Sequence, residues 1–291
     1  MHAYLFPGQG TQFPGMGKEL FVKSKLAQEY FNRGNDILGY SITDVMFEGS
    51  SEKLKQTKFS QPAIFLHSFI LAKTLGTDFI PDMVAGHSLG EISALAAIGS
   101  LDFESALRLI SKRAIAMQKV CEVQNTGMAV VVGLFDVIVR DICKQIDGVV
   151  VPANYNALHQ VVISGEKRAL KEACDKLRPG AKIVVNLPVS GAFHSPFMEP
   201  IVEEFRVAIE ETEFKKPNCP IYQNIAGRPI VDIELIKKNL IDQLTHPVMW
   251  RHTILHMIED GATEFTEIGP GNFLRGLVLQ INKKVKTNGI S

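Results

Sequence analysis

An α/β fold carrying an inserted β-α-β-β-α-β unit is what the sequence predicts, on three observations. Strand-like and helix-like segments alternate through the first third of the 291 residues. A strand-helix-strand-strand-helix-strand order then fills roughly 124–189. Helix-strand alternation resumes after it, which suggests that a small unit interrupts a larger, mostly parallel sheet.

The elements follow in order. Residues 3–6 are a short apolar strand, ended by Pro7-Gly8-Gln9-Gly10. Residues 82–86 read as a buried strand entering Gly86-His87-Ser88-Leu89-Gly90, and 91–98 as a helix stopped by Gly99. In the insertion, 128–134, 149–153, 160–164 and 181–189 are strands, and 137–146 and 167–177 are helices. Residues 196–211 are a helix, with Ser195 as N-cap and Pro196 at the first helical position. Residues 219–225 are strand-like, 248–259 helical and 263–268 a strand. The charged tail 283–291 is expected to fray. The division is therefore 1–123 and 190–291 for the larger domain and 124–189 for the inserted one. A site between the two would suit a ligand.

Composition narrows the function classes. Lys and Arg total 31, as do Asp and Glu, which argues against nucleic acid as the main partner. Cys121, Cys143, Cys174 and Cys219 are widely spaced, with no CxxC pair. They read as buried thiols in a reducing compartment, with neither a metal site nor a disulfide framework. No signal peptide is visible at the N-terminus. Apolar stretches such as 59–72 fall short of the roughly 18 residues that a membrane helix needs. The expectation is a cytoplasmic protein with no membrane partner.

Gly86-His87-Ser88-Leu89-Gly90 matches G-x-S-x-G. By itself the pattern also fits a glycine-rich turn with a capping serine. Here it has the required strand before and helix after. A serine on such a turn exposes its hydroxyl above a helix N-terminus, where developing negative charge is favoured. The amide of Leu89 is then placed to donate to an oxyanion.

A serine hydroxyl needs a base. Of eight histidines, His2, His67, His159, His246, His252 and His256 lie in unremarkable surroundings. His87 adjoins the serine, but neighbours on a sharp turn point apart. His194 lies among small residues, after a strand and before a helix. The nearby helix N-terminus favours neutral imidazole. A plain turn histidine is the alternative on this argument alone.

Taken together, these motifs resemble the malonyl-CoA:acyl carrier protein transacylases of bacterial fatty acid synthesis and the acyltransferase domains of polyketide synthases. The resemblance runs from Phe6-Pro7-Gly8-Gln9-Gly10 through Gln61-Pro62, the serine motif with Glu91, and Arg113 with Met117-Gln118. It continues through Val151-Pro152-Ala153-Asn154-Tyr155-Asn156 and Gly191-Ala192-Phe193-His194-Ser195-Pro196. It ends with Gln243-Leu244, Pro247-Val248 and Glu267-Ile268-Gly269-Pro270-Gly271. It implies an α/β-hydrolase-like core with a ferredoxin-like subdomain. It also implies Ser88 as nucleophile, His194 as base, a backbone carbonyl at Gln243 orienting the histidine, and an oxyanion hole from the amides of Gln9 and Leu89. The implied partners are malonyl-CoA and acyl carrier protein, with no cofactor and no metal, the coenzyme A thioester being a substrate. A monomer is implied as well.

By position in the family, Arg113 binds the malonyl carboxylate, a two-pronged match. Helix geometry supports this in part. Over 102–122, Phe103, Ala106, Leu107, Ile110, Ala114, Met117 and Cys121 form one apolar face. Arg108, Lys112 and Lys119 lie opposite, while Arg113 sits at the border of the apolar face. A snorkelling arginine fits that geometry equally well. Phe193 resembles the malonyl-selecting form, and Ile92 departs from the aromatic residue of many relatives, which bears on pocket shape. Asn154 and Asn156 line the acyl pocket or shape a turn, and Gly269-Pro270-Gly271 reads as a tight turn. The rival functions are a free-standing polyketide acyltransferase, a serine esterase or thioesterase, which would need no Arg113, and a non-enzymatic binding module.

Overall fold

The computed structural model describes residues 1–189 and 191–291. Its strands are β1 (His2–Phe6), β2 (Met83–Gly86), β3 (Thr126–Val132), β4 (Val150–Ala157), β5 (Gln160–Glu166), β6 (Ile183–Asn186), β7 (Ile221–Tyr222), β8 (Pro229–Ile230), β9 (Glu264–Ile268) and β10 (Lys286–Ile290). They form two sheets. One has the order β10-β9-β1-β2-β7-β8, and the other β4-β5-β3-β6.

The six-stranded sheet is parallel apart from the final β7–β8 pair. Its centre is buried on both faces because alternate residues of each strand enter different cores. Tyr4, Phe6 and Val84 face the main core with the helices Thr57–Thr74 and Phe103–Val123. Ala3, Leu5, Met83 and Ala85 face the opposite layer with Trp250, Phe265 and Leu277.

The four-stranded sheet is antiparallel throughout. The helices Asp136–Lys144 and Lys167–Leu177 cover one face, where Ala129, Val131, Val161 and Ile163 pack with Leu170 and Leu177. Met128, Ala153 and Val162 point the other way and join the main core. The strand order and crossovers are those of the ferredoxin-like pattern. The small sheet is also tied to the larger unit through its backbone. Tyr155 N donates to Val248 O at 2.9 Å, and Val248 N donates to Ala153 O at 2.8 Å. That exchange is why the helix expected from 248 starts instead at Trp250.

Three other expectations change. The helix expected over 196–211 is a 3-10 segment, Pro196–Ile201, followed by the α-helix Val202–Glu210. Pro200 has no N–H for the α-helical ladder, so the first turns tighten. Ser195 caps neither with its side chain; its hydroxyl donates to Ala192 O at 2.5 Å. The tail does not fray. Lys286–Ile290 pairs in parallel with β9 and forms the sheet edge, and the amide of Gly269 donates to Ile290 O at 3.0 Å. Lys286 belongs to an exposed edge strand, where charge discourages pairing with other chains, and Lys283 and Lys284 lie in the turn before it. The four cysteines are free and buried, as expected. No described helix is long and apolar enough to cross a membrane.

Candidate active site

The strand β2 ends at Gly86, the helix Gly90–Ala97 begins three residues after His87, and Ser88 occupies the bend between them with φ 54°. A left-handed backbone is costly for a residue with a Cβ. The flanking glycines allow the bend. A Cβ on Gly86 would lie 1.9 Å from the carbonyl carbon of Gly90, and one on Gly90 would lie 2.0 Å from Phe6 O. Backbone meets backbone there, so no larger residue fits.

His194 also has positive φ, 55°. Its loop is pinned by the small sheet. Thr126 Oγ1 accepts from the amide of Ala192 at 3.2 Å, and the Ser164 hydroxyl donates to Phe193 O at 2.7 Å. A Cβ on Gly191 would strike the sulfur of Cys121 at 2.2 Å. The imidazole Nε2 reaches the Ser88 hydroxyl at 2.8 Å, and Nδ1 lies 2.8 Å from Gln243 O. A carbonyl can only accept, so Nδ1 carries the proton and Nε2 offers a lone pair to the serine. Burial, followed by the neighbouring Arg113 charge, lowers the His194 pKa to about 3. The ring is therefore neutral at pH 7.

Arg113 is fully buried. One terminal nitrogen donates to Gln61 Oε1 at 2.8 Å. The other donates to Ser88 Oγ at 3.2 Å and to Gln243 Oε1 at 3.0 Å. Burial lowers its pKa to about 10, with the buried Glu91 opposing the shift, so the guanidinium is charged at neutral pH. At the helix border Arg113 is thus a buried, hydrogen-bonded side chain and not a snorkelling one.

Gln243 has two parts in this arrangement. Its carbonyl holds His194, while its side-chain Nε2 donates to Ser88 O at 3.1 Å. The amides of Gln9 and Leu89 donate to no group among the described residues, and Gln9 Nε2 reaches Thr57 Oγ1 at 3.3 Å. Asn156 accepts at Oδ1 opposite His87 Nε2, 2.9 Å away, so the His87 ring turns from the serine towards β4 and Trp250. Asn156 borders a cavity of about 490 Å³ that also takes in Gln9. Asn154 is buried beside a bulge of β4. Phe193 is buried and meets the small sheet through its carbonyl. A larger open depression of about 820 Å³, from Glu210 to Lys237, contains none of these residues. No group of three or more His, Cys, Asp or Glu among the described residues could hold a metal ion.

Sequence reasoning gave no role to three residues that build the site. Asn224 clamps the bend, its Oδ1 accepting from Ser88 N at 2.7 Å and its Nδ2 donating to Gly86 O at 2.7 Å. Glu91 accepts from the amide of Asn224, and from Gln223 Nε2 at 3.5 Å; burial raises its pKa to about 8. Gln61 supports Arg113. The available signal was the pair Gln223-Asn224, polar residues inside an apolar strand-like run, which burial obliges to find partners.

Known proteins share this fold and much of this sequence. The family model described as an acyl transferase domain matches residues 3–287. A malonyl CoA-acyl carrier protein transacylase of Bacillus subtilis is 36% identical, with 99% of this chain and 93% of the relative covered. The structure of a malonyl CoA-acyl carrier protein transacylase from Coxiella burnetii superposes with a TM-score of 0.95 at 34% identity, covering 99% of this chain and 93% of the other. A malonyl-transacylase solved with its type II polyketide acyl carrier protein gives 0.96, also at 34% identity, covering 99% and 95%. A half-buried serine on a buried histidine, on this fold and within a family match that runs from the first strand into the last, leaves no ambiguity of kind: the chain belongs to the acyl transferase domain family.

Proposed function

We propose that the protein transfers a malonyl group from malonyl-CoA to the phosphopantetheine thiol of an acyl carrier protein, through a malonyl ester on Ser88. One observation carries the reading. The hydroxyl of Ser88 sits between the neutral Nε2 of His194 and the charged guanidinium of Arg113, at 2.8 and 3.2 Å. An esterase needs the first contact; only a substrate with its own anion needs the second. Gln61 and Gln243 hold the guanidinium in place, and the terminal N–H that now meets Ser88 Oγ is the donor that a bound carboxylate takes over.

In the first half-reaction His194 Nε2 takes the Ser88 proton as Oγ attacks the thioester carbonyl carbon. The amides of Gln9 and Leu89 receive the oxyanion. Collapse breaks the C–S bond, and the coenzyme A sulfur takes the proton from His194 and leaves as the thiol, which returns the imidazole to its neutral form. In the second half the carrier-protein thiol gives its proton to His194 and attacks the malonyl ester, and Ser88 recovers its proton. Asn154, Asn156 and Phe193 line the acyl side of the pocket. No cofactor takes part, since the coenzyme A thioester is consumed as substrate. The working unit is a monomer, with 124–189 as a subdomain inserted between 1–123 and 190–291. The cytoplasm, reducing enough for four free thiols, is its compartment.

The reading is supported by the malonyl transacylases among the relatives, one of them seen with its carrier protein. That complex belongs to polyketide synthesis, so service to a polyketide carrier is the second reading. Brief mixing with malonyl-CoA, followed by mass spectrometry, tests the scheme: Ser88 gains a malonyl group. Active protein with an unmodified serine rejects it. Transfer from malonyl-, methylmalonyl- and acetyl-CoA to fatty acid and polyketide carriers then separates the two readings.

A further inference from the structure

We propose that Lys55 binds the phosphate of the phosphopantetheine arm, the one anion that coenzyme A and acyl carrier protein present at the same distance from the reacting sulfur. The proposal rests on the malonyl-transfer reading above. The cavity of about 490 Å³ is lined by Gln9 and by the buried Asn156, whose Oδ1 meets the ring of His87 next to Ser88, and by the exposed Lys55 and Phe273. Its wall includes Val130, Val162 and Leu187, and Lys55 is the only charged residue among the described residues lining it.

That wall fits the arm. An uncharged passage with a few amide partners suits pantetheine, which carries two amides and no charge. The phosphate has to stay outside it, because an anion buried without a partner is costly. At the outer end it meets a lysine, which recognises phosphate as a point charge. Neighbouring lysines are engaged elsewhere, since Lys53 and Lys58 both sit against the Phe59 ring. Lys55 forms no ion pair among the described residues.

Chain length bounds the reach. Lys55 stands two residues before Thr57, whose hydroxyl touches the Gln9 side chain. Two residues span at most about 8 Å, and the lysine side chain extends this. The pantetheine arm is about as long as four extended residues, roughly 14 Å. Because both half-reactions bring a sulfur to Ser88 on the same arm, one cation serves donor and acceptor in turn.

The test compares three malonyl donors on the full-length protein: malonyl-CoA, malonyl-phosphopantetheine and malonyl-pantetheine, which lacks the phosphate. In Lys55→Ala, kcat/KM for the first two, and for the loaded carrier protein as acceptor, falls about fivefold to tenfold, equivalent to about 1–1.4 kcal/mol. The two phosphorylated donors lose their advantage over malonyl-pantetheine. Lys55→Glu falls further, Lys55→Arg restores most of the loss, and Lys53→Ala keeps the wild-type ratio. An unchanged ratio in Lys55→Ala overturns the assignment. So does a loss confined to malonyl-CoA, which would place the nucleotide phosphates at Lys55. If wild-type protein loads Ser88 from none of the three donors, the malonyl-transfer reading itself falls.

Discussion

The Nε2 atom of His194 lies 2.8 Å from the Oγ of Ser88, and these are the two non-glycine residues with positive φ among the described residues. Backbone strain is therefore stored under both partners of the proton transfer. Each position costs on the order of 1–3 kcal/mol, which the surrounding structure must over-determine. For Ser88 that structure is the clamp of Asn224 and Gln243 on its peptide groups. For His194 it is the hold of Thr126 and Ser164 on the residues just before it.

Strain at Ser88 can be separated from loss of its hydroxyl by comparing Ser88→Gly with Ser88→Ala. Both variants lose malonyl transfer. Glycine accepts φ 54° without penalty, so Ser88→Gly is expected to be the more stable by about 1 kcal/mol, after allowing for the greater freedom of glycine in the unfolded chain. Urea denaturation of the two variants reads the difference directly. If Ser88→Gly were instead the less stable of the two by about 0.5–1 kcal/mol, the full entropic cost of glycine, the bend would be unstrained.

Burial of His194 predicts an unusual pH profile. The base acts as neutral imidazole, and its pKa in the folded protein is lowered to about 3 from 6.5. Loading of Ser88 from malonyl-CoA should keep its kcat/KM from pH 8 down to pH 5, with no acid limb near 6.5. The same shift acts on stability. The unfolded chain takes up a proton at His194 near pH 6.5 and the folded chain does not until about pH 3. Stability is thus complete above 6.5 and declines as pH falls through the window. His67 and His87, both lowered to about 4, add to the same slope. An acid limb of kcat/KM centred near 6.5 would show that the imidazole is solvated.

Recognition of malonate depends on the fork of Arg113 as well as its charge. Its two terminal nitrogens reach Gln61, Gln243 and Ser88 from one rigid plane. Lysine keeps the charge but cannot make those bonds at once, and it would leave buried amide oxygens of Gln61 and Gln243 unpaired. Arg113→Lys is expected to lose at least about tenfold in kcat/KM for malonyl-CoA, and Arg113→Ala about a hundredfold. Acetyl-CoA, with no carboxylate, should lose less in both, and gain relative to malonyl-CoA. Steady-state transfer with each donor measures this. A parallel loss for the two donors would assign Arg113 to the serine alone.

The parts of this site that lie close together in the chain were legible in the sequence. Gly86, Ser88 and Gly90 are two residues apart, and steric exclusion requires those glycines. The β-α-β-β-α-β order could likewise be read from alternating apolar periods. Other parts depend on chain crossings that no local pattern records. The pairing of His194 with Ser88 spans 106 positions; its place among small residues between a strand and a helix singled the histidine out, with a plain turn histidine as the alternative, and the resemblance to known transacylases favoured the pairing. The Asn224 clamp spans 136. The tail 283–291 was misread because a run with Lys283, Lys284 and Lys286 suits both an unpaired terminus and a turn leading into a charged edge strand. The partner that decides between them is β9, some twenty residues earlier. Pro200 misled in the opposite way: the apolar spacing from 196 to 211 continues through it, while the missing N–H tightens the first turns into 3-10 geometry.

Glu91 ties this buried network to pH. Its carboxyl accepts from the amide of Asn224, the residue that clamps Ser88, and burial raises its pKa to about 8 from 4.5. The folded protein therefore holds this proton more tightly than the unfolded chain. The contribution to stability is complete below 4.5 and is lost as pH rises through about 8. Glutamine has nearly the same shape, keeps one carbonyl oxygen for the Asn224 amide and has no proton to lose. Glu91→Gln should accordingly gain stability relative to the wild type between pH 5 and pH 9. Urea denaturation at pH 5, 7 and 9 measures the gain. Glu91→Ala separates charge from hydrogen bonding: it leaves the Asn224 amide unpaired, so it should be destabilised at every pH, by about 1–3 kcal/mol. If wild type and Glu91→Gln instead keep a constant difference across the three pH values, the carboxyl is ionised throughout. Arg113 would then be its effective counter-charge, and the guanidinium would be less free to meet malonate.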